Sequence, residues 1–205
     1  LANRAPVAVW LVAVTLLGWA TAPLGFALFG RLRDRGWVLS RTLGMVLLGY
    51  PVWLLASLRV APNSRGTVLA VFAALVLLGV AAGWIQRRAL ADFLHQRWRL
   101  LVAEEVAFLV FFAAFLLIRY SNPDLWHPVM GGEKPMDLAY LNAILKSTWF
   151  PPYDPWFAGG SMNYYYLGHA LVATLIKATG IVPTVAYNLA IPTLFAMTAM
   201  GACCV

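Results

Sequence analysis

Six apolar runs follow one another along this chain, most of them about the 20 residues a helix needs to cross hydrocarbon. They occupy residues 6–29, 38–58, 66–85, 100–118, 164–179 and 183–205. In lipid a backbone must satisfy its own hydrogen bonds, so runs like these fold as helices. The expected fold is therefore all-α: a polytopic transmembrane bundle of about six spans, with Pro23 and Pro51 as kinks in the first two. Composition agrees. The chain is 11% charged and 62% hydrophobic, with a mean hydropathy of +0.76, whereas a soluble domain has about a quarter of its residues charged.

The net charge of +7 does not point to nucleic acid. Nucleic-acid-binding residues cluster on one folded face, and here the basic residues separate apolar runs. Placing the linkers after the first, third and fifth runs in the cytoplasm puts nine of the fifteen Lys and Arg there: Arg31, Arg33, Arg35, Arg41, Arg87, Arg88, Arg97, Arg99 and Lys177. Residues 119–162 then face the other side of a plasma membrane. Trp84, His95 and Trp98 suit the headgroup level. Glu104 and Glu105 open the fourth run and are expected to reach water or to pair with Arg97 or Arg99. Cys203 and Cys204 are adjacent within an apolar run, where a small lipid-facing or packing role explains them better than a disulfide or a metal. The chain begins at Leu1 and ends at Val205 inside an apolar run, as a piece of a longer protein would, and no cleavable signal peptide is recognisable.

Polar chemistry concentrates in residues 119–169. Asp124, Glu133, Asp137 and Asp154 are half of the eight acidic residues, and His127 and His169 are two of the three histidines. Pro135 suits a first helical turn and Asp137 favours its start. Leu138, Leu141, Ile144 and Leu145 then share a face, which predicts a short amphipathic helix lying on the membrane surface. Pro151, Pro152 and Pro155 stop any helix beyond it, and Gly159 and Gly160 permit a turn.

Glu133 and Asp137 form the leading pair, because a carboxylate at a membrane surface can take a proton or ligate a divalent cation such as Mg or Mn. A solvated pair with Asp137 merely favouring a helix start is the plainer alternative. Asp154 stands among aromatics and prolines and needs no role beyond a turn. His169, at the mouth of the fifth run, could contact an anionic headgroup or simply pack. Tyr164, Tyr165 and Tyr166 suit an aromatic belt, although three consecutive helical tyrosines would send at least one inward. Gly131-Gly132-Glu133-Lys134 lacks the spacing of a phosphate-binding P-loop.

The segment NPDLWHPVMGGEKPMDLAYLNAILKS, followed by FPPYDPWFAGGSMNYYYLGH, resembles the Chlor_Arch_YYY family of multispanning membrane proteins, named for the tyrosine triplet. The resemblance covers about residues 104–202 and divides the chain into residues 1–99, three spans with basic linkers, and residues 100–205, the resembling region. The layout is similar to that of GT-C glycosyltransferases, which carry an acidic residue in a first external loop and take sugars from polyprenyl-phosphate carriers. That likeness implies a membrane glycosyltransferase with Glu133 as catalytic carboxylate and Asp137 as its helper or a metal ligand. It also implies Asp154 and His169 at the carrier phosphate, with Lys134, His169 or a bound metal stabilising that phosphate as it departs; an inward-facing member of Tyr164, Tyr165 and Tyr166 could stack on a sugar or bond a phosphate. Lys134-Pro135 stands where GT-C loops commonly have a second acidic residue. The implied partners are the bilayer and a polyprenyl-phosphate-linked sugar; the alternative is a transporter or a lipid- or glycan-binding scaffold. A Glu133→Cys variant in intact cells is expected to react with a membrane-impermeant maleimide added outside, and labelling only after permeabilisation would invert the orientation.

Overall fold

The computed structural model describes residues 5–127 and 132–203. Expectations for Gly131, Cys204 and Val205 lie outside these residues. Seven helices follow in order: α1 (Ala5–Leu28), α2 (Ser40–Ser57), α3 (Arg65–Ile85), α4 (Arg87–Ser121), α5 (Lys134–Lys146), α6 (Leu167–Thr179) and α7 (Pro183–Cys203). Among the described residues the only extended pairing is an isolated bridge between Tyr153 and Ser161. The described residues are thus all-helical in their regular structure, and among them four helices, α1, α3, α4 and α7, are long and apolar enough to cross a membrane. Six such crossings were expected. α2 is made less apolar by Ser40, Arg41 and Ser57, and α6 has only 13 residues.

The packing sorts the helices into two ends. α1 lies against α2 and α3, and α4 lies mainly against α7. Trp10 of α1 reaches α7 by donating its indole N–H to Thr193 at 2.9 Å, buried between the helices. Thr21 of α1 donates to the Ser40 carbonyl of α2 at 2.6 Å. Small residues bring α1 and α3 close: a Cβ on Gly79 would collide with the Ala20 carbonyl oxygen.

α4 differs from expectation. The basic segment read as a linker between the third and fourth spans is helical, and only Gln86 interrupts the backbone between α3 and α4. Residues 87–100 contain no Gly or Pro and are rich in Arg, Leu and Ala, so nothing in them breaks a helix. The resulting 35-residue helix is about 52 Å long, more than hydrocarbon requires. Its first turns cover the end of α1, where the Phe93 and Phe26 rings lie 5.3 Å apart.

Glu105 pairs with Arg41 of α2, not with Arg97 or Arg99, and also accepts the Trp37 indole N–H at 2.8 Å. The Arg41 guanidinium lies 4.1 Å over the Phe108 ring. Arg41 wins this pairing because α2 delivers it, buried, from the neighbouring helix. The Oε2 of Glu104 is buried without a hydrogen-bond partner.

α6 does not join the two ends of the bundle. In its first turn His169 meets Asp137 of α5. In its last turn Lys177 donates to the Asn63 carbonyl, and Arg65 donates to Ala178 O at 3.4 Å. Asn63 in turn donates to Ile144 O at the far end of α5, at 2.9 Å. Both termini of α6 therefore lie beneath the two ends of α5, at the end of the bundle opposite Arg41 and Glu105. Gly180, in the left-handed region at φ +72, closes the helix and lets the chain turn into α7. Lys177 consequently belongs with residues 119–162, not with the arginines of the other end. The apolar face of α5 is also relocated: Leu138, Leu141 and Ile144 are buried against protein rather than resting on a membrane surface.

Removing Glu105 strands a buried guanidinium. Glu105→Ala is expected to lower stability by about 3–5 kcal/mol, read as a fall in the thermal unfolding midpoint in detergent, whereas Arg97→Ala should leave it nearly unchanged.

Candidate functional site

Three helices bring one side chain each to a common point. α5 starts with Pro135 in its first positions and places Asp137 in its first turn, where a carboxylate suits the exposed amides. Leu138 beside it, and Leu141 and Ile144 one and two turns further along the same face, are buried and hold the helix down, which fixes where Asp137 sits. The Tyr187 hydroxyl of α7 donates to Asp137 Oδ2 at 2.9 Å. Nε2 of His169, from α6, stands 3.5 Å from Asp137 Oδ1. The His169 ring meets the Tyr140 ring edge-on, 6.2 Å between centroids, and its Nδ1 is buried with no hydrogen-bond partner.

Asp137, His169, Tyr187 and Tyr165 line the polar mouth of a cavity of about 320 Å³. Below them the wall is apolar: Leu171 and Val172 from α6, Ile191 and Leu194 from α7, and Met45 from α2. A second cavity of about 280 Å³ shares Met45, Leu171 and Leu194 and runs on to Leu39, Thr42 and Thr198. The two together make an apolar groove between α2 and α7, with the polar cluster at one end. Tyr165 is exposed, and its hydrogen bond with Tyr164, followed by desolvation and the nearby negative charges, pushes its phenol up to about 12. It therefore stays a neutral donor at physiological pH.

The remaining sequence candidates lie apart from this wall. Glu133 is exposed immediately before α5, and its carbonyl accepts the Asp137 amide at 2.9 Å. Lys134 donates to the Asp124 carbonyl at 3.4 Å. Asp154 closes a turn, accepting the Trp156 amide at 2.8 Å while its own amide donates to Gly160 O at 3.0 Å. The tyrosine triplet precedes α6 instead of entering it. Tyr164 and Tyr165 are exposed with rings 3.9 Å apart. Tyr166 turns inward, stacks on Phe150 at 5.9 Å and accepts the Trp53 indole N–H at 3.2 Å.

Sequence reasoning missed Tyr187, Asn188 and the role of Arg119. The signal was there: Tyr187-Asn188 is a polar pair in the second turn of an otherwise apolar run. Arg119, buried at the end of α4, donates to Asn188 Oδ1 through Nε at 2.9 Å and also through Nη2. Asn188 Nδ2 donates on to Pro123 O at 3.2 Å, so this residue ties the end of α4 and the start of the following loop to α7. Among the described residues no group of three or more His, Cys, Asp or Glu is placed to hold a metal ion. Asp137 and Glu133 are two carboxylates of which only Asp137 lies on the cavity wall, and that donor set does not fit a divalent-cation site.

A multi-pass helical bundle with a lateral apolar groove and a capped polar mouth defines a membrane protein in contact with the bilayer. The chain belongs to the family described as uncharacterized membrane protein (DUF2298), whose model matches residues 47–205. No curated protein and no solved structure matches it.

Asn188→Ala leaves the buried Arg119 guanidinium without its acceptor. The expected loss is about 2 kcal/mol of stability, measured by thermal unfolding in detergent, and Asn188→Asp, which keeps an acceptor and adds a charge, should recover most of it.

Proposed function

We propose that this chain carries the donor site of a GT-C-like glycosyltransferase, which moves a sugar from a polyprenyl-phosphate carrier to an acceptor hydroxyl on the extracytoplasmic side of a plasma membrane. The observation that carries the reading is the polar cluster Asp137–His169–Tyr187 at the mouth of the apolar groove between α2 and α7. A polyprenyl phosphate has the same two-part chemistry, a long hydrocarbon and one polar head, and such a groove would take the tail while the cluster meets the head.

In this mechanism the acceptor oxygen attacks the anomeric carbon, the bond from that carbon to the carrier phosphate breaks, and the proton passes to Asp137. Asp137 takes this role in place of Glu133 because it lies on the cavity wall. Its contact with His169 gives the proton a second resting place. His169 Nδ1 is buried and without a protein partner. Tyr165, a neutral phenol at the mouth, would donate to the departing phosphate as charge develops there. Glu133 and Lys134 lie off the cavity wall, one helical turn before Asp137. No step is routed through a metal ion.

A non-enzymatic lipid-binding role has one observation in its favour: both Asp137 oxygens already face protein partners. The two readings separate in one assay on the full-length protein with a radiolabelled polyprenyl-phosphate sugar. Asp137→Asn is expected to cut transfer by about a hundredfold or more while donor binding persists, and Glu133→Gln to reduce it less than tenfold. Tight donor binding by the wild type with no transfer to any acceptor would favour the carrier. An Asp137→Asn protein as active as the wild type would remove Asp137 from the chemistry.

A further inference from the structure

We propose a second binding site at the opposite end of the bundle, where Arg33, Arg35 and Arg97 take a phosphate-bearing anion, such as a phospholipid headgroup. These arginines line a cavity of about 380 Å³ between the loop that joins α1 to α2 and the first turns of α4. Asp92 is the one acidic residue on the wall against these three arginines, which leaves the lining with an excess of positive charge, and Glu104 of α4 lies within electrostatic reach of Arg33. Among the described residues, none of the three arginines is in an ion pair; the pairs formed are Arg41–Glu105 and His169–Asp137.

The loop is built to present Arg35. Arg35 sits at φ +49, a left-handed conformation that a residue with a Cβ adopts at a cost. It is held there by Asp34, which is buried and accepts the amides of Gly36 at 3.1 Å and Val38 at 2.9 Å. The guanidinium of Arg35 then lies 4.6 Å over the Phe26 ring, and that ring is braced in turn by Phe93. A guanidinium fixed over an aromatic face keeps its N–H groups free for an anion, and phosphate oxygens match such forks better than a single point charge does. The continuous helix from Arg87 brings Arg97 to the same opening from the other side.

Two sources carry this chemistry, a lipid headgroup or a soluble phosphate. The exposed Trp84 and Trp98 flank this end, as side chains at the lipid–water boundary do, which makes the headgroup the expected one. Gly30 lines the cavity, and a Cβ there meets nothing within contact distance, so a bulky side chain can be added at this wall without disturbing the fold.

The test uses the full-length protein in nanodiscs of phosphatidylcholine with or without phosphatidylglycerol, read by native mass spectrometry. Wild type is expected to retain phosphatidylglycerol at least fivefold over phosphatidylcholine. The triple variant Arg33→Gln, Arg35→Gln, Arg97→Gln should lose that preference, and so should Gly30→Leu, which leaves every charge in place. Arg65→Gln, at the other end, should keep it. If inorganic phosphate at millimolar concentration displaces the lipid, the site takes soluble anions; if it does not, the headgroup is the ligand. A preference that survives in the triple variant, or in Gly30→Leu, would overturn the site and leave only diffuse attraction between a basic surface and anionic lipid.

Discussion

A helix of 13 residues reaches about 20 Å, and the hydrocarbon of a bilayer is about 30 Å thick. That shortfall in α6 decides the arrangement around it. Unable to join the two ends, α6 stays beneath α5 and returns the chain to the end from which it came. α7 therefore starts beside α5, with Tyr187 within hydrogen-bonding distance of Asp137. Had the same residues formed a full crossing, α7 would begin at the arginine-rich end and the polar cluster could not assemble.

The two ends of the bundle are held by different chemistry. At one end a buried Arg41 meets Glu105, with Trp37 sharing the carboxylate and Phe108 beneath the guanidinium. The pairing joins α2 to α4 and leaves neither charge isolated, which matters because an uncompensated buried ion destabilises far more than a surface one. At the other end the ties are neutral or singly charged: Arg119 with Asn188, Asn63 with the last turn of α5, Tyr166 with Trp53. Of these, the Arg119–Asn188 tie stands next to Tyr187 at the mouth of the groove, while Asn63 fastens the far end of α5, and the groove itself is apolar down to Thr42 and Thr198.

The segment between α5 and α6 serves this mouth indirectly. Residues 147–166 form no helix, in keeping with three prolines, and fold back through a turn at Gly159 (φ +78) that pairs Tyr153 with Ser161. Phe150 and Met162 are buried beneath it and anchor it to the bundle. Tyr166 completes that anchor, which places Tyr165 at the cavity and leaves Tyr164 outside. Three adjacent identical residues thus have three different surroundings, set by where α6 begins.

Read alone, the residues were enough to establish a helical membrane protein, because 20-residue apolar runs admit no other backbone solution in lipid. They also marked α5, its start at Pro135 with Asp137 in the first turn, and the break imposed by the prolines, all of which depend on neighbours in the chain. The basic segment before residue 100 continues as helix into α4, which its charge does not announce, since charge says where a helix sits and not whether it continues. Which acidic residue faces a cavity, that Arg41 and not Arg97 meets Glu105, and that Tyr187 closes on Asp137 were decided only by tertiary structure. Those pairs lie 50 or more positions apart, and nothing in local periodicity reports which turns of two distant helices will come to rest side by side.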